Sequence, residues 1–153
     1  MRSMHVCTVA ELRLQIDSTF DGVPVVGAGI RDLCARECLT PVEASMIELA
    51  VVEAVNNAIE HGYQEQPGGR IEIHVVVTAS QIDAVITDAG PPIDPATFAE
   101  RYEDPKSVDR SALAEGGRGL TIMRGVFDEL RYARRGDRNV VTMRKTRDAA
   151  AQP

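Results

Sequence analysis

The chain has 153 residues, 44% hydrophobic and 26% charged, which suits one domain with a core large enough to need neither disulfides nor a structural metal. Its 17 Lys and Arg against 23 Asp and Glu give a net charge of -6, which disfavours a general nucleic-acid or anionic-membrane surface while leaving a basic protein partner open. Cys7, Cys34 and Cys38 are odd in number, and no basic-apolar leader or long apolar span begins the chain, so a reduced cytoplasmic setting is expected.

Residues 1–10 read as an N-terminal extension, and residues 11–17 alternate polar and apolar as a half-buried strand does. Residues 25–39 then carry Val26, Ile30, Leu33, Cys34 and Ala35 at helical spacing, with Gly27 and Gly29 weakening the start. Cys34 and Cys38 sit one turn apart, and with histidines only at 5, 61 and 74 they read as buried small hydrophobes rather than zinc ligands. Thr40, Pro41 and Glu43 form a cap, a first helical residue and a capping-box partner, so a second helix is expected over 41–61, stopped by Gly62. Residues 71–78 and 81–87 predict two strands joined tightly at 79–80, hence an antiparallel pair, with His74 facing outward. From 90 to 119 come prolines and charges with a short helix expected over 95–102. That stretch is too long for an ordinary connection and reads as a functional lid. A helix over 119–128, a hairpin of 130–134 with 140–144 around Gly136-Asp137-Arg138, and a disordered tail over 148–153 complete the chain. Helices with a mostly antiparallel sheet predict an α+β, two-layer α/β sandwich.

Chemistry concentrates on the second helix. Four-residue steps keep Glu53, Asn57 and His61 on one slowly winding stripe, continued by Met46 and Ala50, while Glu48, Asn56 and Glu60 fall on the side expected to be solvated. A carboxylate in a cleft can take a proton, and an amide oxygen beside it can bind Mg²⁺. Taken alone, the stripe reads first as a polar seam between helix and sheet. Two further motifs stand in nucleotide-site order. Asp88 ends a strand two residues before Gly90, so its carboxylate can reach an exocyclic amine while the glycine admits a ring close to the backbone. Gly116-Gly117-Arg118-Gly119 precedes a helix, where exposed N–H groups, the positive helix end and Arg118 can hold phosphate. The common phosphate loops are absent: there is no G-x-x-x-x-G-K-[ST], and Gly27-Ala-Gly29 lacks a third glycine.

Together these motifs resemble the GHKL (histidine kinase-like) ATPases, and within them the anti-sigma factor serine kinases of the RsbW type. The resemblance rests on E-x-x-x-N-A-x-x-H-G-Y at 53–63, D-x-G-P-P-I-D-P at 88–95 and G-G-x-G-L-x-I-M at 116–123. It covers about residues 11–145 of what is taken as one histidine kinase-like ATPase domain over 11–147, and implies a Bergerat ATP-binding fold with a mixed, mostly antiparallel sheet. It also implies ATP and Mg²⁺ as cofactors, a serine of a STAS-domain anti-sigma factor antagonist as phosphoryl acceptor, a sigma factor as the other partner, and a homodimer. By position, Glu53 would be the general base, Asn57 the Mg²⁺ ligand, Asp88 the partner of the adenine amine and Gly90 the space for the base. Gly117, Arg118, Gly119 and Leu120 would hold the phosphates, and His61 would close the helix. Pro92 departs from a common family glycine, implying a stiffer lid. A sensor histidine kinase domain shares the pocket but needs a phosphoacceptor helix. A module that binds ATP and partners without phosphoryl transfer is the alternative from another class. No direct nucleic-acid or membrane partner is expected.

Overall fold

In the computed structural model, residues 9–94 and 123–148 are described. Strand β1 (Ala10–Asp17) is followed by a short turn of helix (Phe20–Gly22), then by α1 (Val23–Arg36) and α2 (Pro41–Asn57), which runs on into a wider helical turn at Ala58–Gly62. Strands β2 (Arg70–Val77), β3 (Gln81–Asp88), β4 (Glu129–Arg135) and β5 (Arg138–Thr146) complete a five-stranded sheet in the order β1-β2-β3-β5-β4. Every pairing among the described residues is antiparallel, so the sheet expected to be mixed shows no parallel pair there.

Alternation decides the layers. Ile71, Ile73, Val75 and Val77 of β2 and Ile82, Ala84 and Ile86 of β3 point to one face and are buried, and the two helices cover that face with Val26, Ile30, Ile47, Val51 and Val55. His74, on the opposite phase, faces outward and lies 3.2 Å from Glu11. Thr40 caps α2 as expected: its hydroxyl accepts from the Glu43 N–H at 3.2 Å, while the Glu43 carboxylate accepts from the Thr40 N–H at 2.8 Å. That second bond holds the Glu43 carboxyl below its ordinary value. Gly27, which weakens α1 by propensity, lets the helices meet, because a Cβ there would lie 2.7 Å from the Glu48 carboxylate.

Several expectations about the helices need correction. Glu48 is not on a solvated side; it is drawn against α1 by an ion pair with Arg31. Asn56 is likewise half-buried, with its side-chain oxygen shielded from water. Met46 does not continue an inward stripe, being 44% exposed. Cys34 is fully buried, which pushes its thiol up to about 11, whereas Cys38 is exposed and sits just past α1 in the left-handed region at φ 58°. Of the helix expected over 119–128 the described part runs from Met123 to Val126, two residues short of the expected end, with Met123, Val126 and Phe127 buried in the core. The chain is pinned to the end of β5 by Arg147, which donates to Thr78 O at 2.7 Å and Glu37 O at 3.0 Å.

Candidate functional site

Strand β3 places Asp88 at the end of an inward-facing row, after Ile82, Ala84 and Ile86, so a carboxylate stands where period 2 calls for a core residue. It is 6% exposed and hydrogen-bonded rather than orphaned. The Gly90 N–H donates to Asp88 Oδ1 at 2.8 Å, and Asn139 Nδ2 donates to the same oxygen at 2.9 Å. Both bonds fall on Oδ1, which leaves Oδ2 as the acceptor for an incoming donor.

Helix α2 is brought to this corner by its last turn. After Asn57 the hydrogen bonding widens by one residue, with the Tyr63 N–H donating to Ala58 O at 3.0 Å, and Gly62 is carried onto the end of β3. A Cβ on Gly90 would lie 2.8 Å from Gly62 O and 3.0 Å from Asp88 Oδ1, so only glycine fits where helix and strand meet. Glu53 and Asn57 lie upstream on the same helix, half-buried. The widened turn breaks the four-residue stripe after Asn57, and His61 ends with a side chain 48% exposed and 4.0 Å from Glu60. Thus Asp88, Gly90 and the helix carrying Glu53 and Asn57 are joined, while Gly117, Arg118, Gly119 and Leu120 lie outside the described residues, as does the expected helix over 95–102.

Four residues that sequence reasoning gave no role complete the corner. Asn139 of β5, 1% exposed, faces Asp88 in register and also donates to Pro91 O at 2.9 Å. Its own oxygen accepts from the Tyr132 hydroxyl at 2.6 Å and from Arg134 at 3.0 Å, and Arg134 donates to Gly90 O at 2.8 Å. Tyr63 ties the outgoing strand to the incoming one, its hydroxyl accepting from the Ala89 N–H at 2.7 Å and donating to Arg70 O at 2.8 Å. The signal for Asn139 was present: carrying the inward phase of Met143 and Val141 two residues further back lands on it.

A carboxylate with one oxygen held by the protein and the other without a hydrogen-bond partner among the described residues, beside a glycine that no side chain can replace, fits an exocyclic amine on a flat ring. Half-buried Glu53 and Asn57 offer a proton acceptor and a hard oxygen ligand on the abutting helix.

The chain matches the histidine kinase-like ATPase domain family over residues 16–145. Serine-protein kinase RsbW of Bacillus subtilis is 26% identical over 126 residues, 78% of this chain and 76% of that protein. An anti-sigma F factor of Anoxybacillus flavithermus is 32% identical over 120 residues, 78% of this chain and 80% of that one. The solved RsbU and RsbW domains of a Mycobacterium tuberculosis protein superpose with a TM-score of 0.63 at 20% identity over 91% of this chain, which spans 33% of that longer one. In the SiaB-SiaC complex from Pseudomonas aeruginosa a chain superposes with a TM-score of 0.59 at 14% identity, over 88% of both chains. The structural likenesses speak for the fold, and the sequence matches for more: the chain belongs to the histidine kinase-like ATPase domain family, as an ATP-using protein kinase of its anti-sigma factor branch.

Proposed function

We propose that this kinase is the enzyme of a partner switch: it binds a sigma factor, and it phosphorylates a serine of a STAS-domain anti-sigma factor antagonist with Mg-ATP. The observation that supports this best is the junction at Gly62 and Gly90, which sets a base-recognising carboxylate, Asp88, against the last turn of the helix that carries Glu53 and Asn57. Bound Mg-ATP would supply the phosphoryl group and the charge neutralisation that its transfer requires. Asp88 Oδ2 accepts from the adenine amine, and Gly90 leaves room for the ring. Asn57 offers its side-chain oxygen to Mg²⁺. Glu53 is the general base: it accepts the proton of the serine hydroxyl as that oxygen attacks. Gly117, Arg118, Gly119 and Leu120 hold the phosphates. The working unit is the domain over 11–147, acting as a homodimer in the cytoplasm. No helix of the described residues is long and apolar enough to cross a membrane.

The deciding experiment incubates the full chain with labelled ATP, Mg²⁺ and a candidate STAS-domain antagonist. Label on one antagonist serine, lost in the Ser→Ala antagonist, is the expected result. Tight ATP and antagonist binding with no transfer would replace this reading by that of a binding module.

A further inference from the structure

The polar cluster behind Asp88 has a fixed direction. Arg134 carries hydrogens only to give, and its Nη1 lies 3.0 Å from Asn139 Oδ1 and 2.8 Å from Gly90 O. The Tyr132 hydroxyl accepts from the Ile93 N–H at 3.0 Å and donates to Asn139 Oδ1 at 2.6 Å. Two donors from β4 therefore dictate the amide: Oδ1 must face β4 and Nδ2 must face β3. The reverse orientation would set the Nδ2 hydrogens against an arginine. Nδ2 then donates to Asp88 Oδ1 and Pro91 O, both at 2.9 Å, with Gly90 O at 3.3 Å. With the Gly90 N–H also on Oδ1, that oxygen is saturated within the protein, and Asp88 is left with Oδ2, which has no hydrogen-bond partner among the described residues, as the acceptor for a base. An acceptor matches the exocyclic amine of adenine and opposes the carbonyl that guanine carries at the same place.

We propose that Asn139 is a positioning residue that sets nucleobase selection through Asp88, oriented for that task by Arg134 and Tyr132. It touches Asp88 and the backbone of the segment leaving β3, not the nucleotide. The proposal rests on the reading of Asp88 as the base-binding carboxylate.

The test is calorimetric binding of ATP, ADP and GTP to the full chain and its variants, with thermal unfolding of each without nucleotide as a control for folding. Asn139→Leu should lower ATP affinity by roughly ten- to a hundredfold and shrink the ATP-over-GTP preference with it, since an N–H bond to a charged acceptor is lost. Asn139→Asp should bind ATP still more weakly at neutral pH and recover as the pH falls, because two carboxylates at this separation take up a shared proton. Arg134 and Tyr132 face that pair from β4 in both proteins, so the parent, lacking the second carboxylate, should show no such recovery. A residue that merely holds the fold would weaken ATP and GTP alike and add no pH dependence. Folded Asn139 variants with the parental ATP-over-GTP ratio would overturn the proposal. If they do not fold, Arg134 decides: Arg134→Lys keeps an obligate donor and should retain selectivity, Arg134→Gln should lose part of it, and equal ratios would overturn the proposal. Asp88→Asn measured alongside separates the two claims. If Asp88→Asn loses selectivity while Asn139 variants keep it, only the positioning role falls. If Asp88→Asn changes nothing, the reading of Asp88 itself falls.

Discussion

Asp88 is buried and receives two N–H donors on one oxygen, whereas Glu53 and Asn57, on the helix that meets it through Gly62, are half-buried with no side-chain hydrogen-bond partner among the described residues. The first region is assembled before any ligand arrives, with its donors supplied by β5 and the outgoing chain. The second offers polar atoms that the described residues leave without partners. A preassembled corner ties recognition to stability, so a substitution there should damage both. An open functional face separates them, and its variants should stay folded while losing function.

The sharpest way to break that contrast is Glu53→Gln, which keeps size and hydrogen bonding but cannot accept a proton. Serine phosphorylation should fall by ~10²–10⁴-fold with nucleotide affinity nearly unchanged and unfolding within about 0.5 kcal/mol of the parent. Asn57→Ala should also stay folded but lose the Mg²⁺-dependent part of ATP binding, seen by titrating with and without Mg²⁺. Parental transfer by the first and parental Mg-ATP binding by the second would make this face structural. Next in size, Asp88→Asn should cost roughly ten- to a hundredfold in ATP affinity, more than for GTP, and lower thermal stability as well. Unchanged stability would remove the idea that this corner is preassembled.

Gly90→Ala probes the same corner without touching charge. Its methyl would meet Gly62 O at 2.8 Å, so either the helix end or the strand end must shift. A loss of about 1–3 kcal/mol in denaturant unfolding, with weaker ATP binding, is expected. Smallest is the far end of α2, where Thr40→Ala should cost about 1 kcal/mol and leave nucleotide binding alone. Because Glu43 is held below its ordinary carboxyl value of 4.5 in the fold, its contribution is present above that value and is lost as the pH falls through the lowered one. The stability gap between parent and Glu43→Gln, which removes the ionisable partner of the Thr40 N–H, should therefore narrow on acidification, and a gap constant from pH 7 to 3 would refute the capping-box account.

Local pattern was legible where a single element decides it. The capping signal of Thr40 and Glu43, the alternation of β2 and β3, and the shared face of Glu53 and Asn57 all follow from spacing within one segment. What was hidden depends on a second segment. Glu48 reads as solvated until α1 brings Arg31 to it, and although the phase of β5 turns Asn139 inward, only the register shows that it meets Asp88. His61 fell off its stripe for another reason: after Asn57 the helix adds a residue to its hydrogen-bonded turn, and no side-chain pattern in the sequence marks that change. The strand order, with β5 between β3 and β4, was equally beyond periodicity, since alternation says which face a residue takes and not which neighbour its strand has.

Strands β3 and β4 run in the same direction on either side of β5, so the chain leaving Asp88 must travel the length of the sheet before it re-enters at Glu129. The β4–β5 hairpin grips both ends of that excursion. At the site it holds Gly90 and Pro91 by their carbonyls and Ile93 by its N–H. At the far end Arg144 O accepts from the Asp128 N–H at 2.9 Å, and the Thr146 N–H donates to the Asp128 carboxylate at 2.7 Å. One hairpin is thus the buckle for two distant attachments, and they should open as a single cooperative unit. In native-state hydrogen exchange the Ile93 and Asp128 amides would then share one opening free energy, and loosening either end would speed exchange at the other.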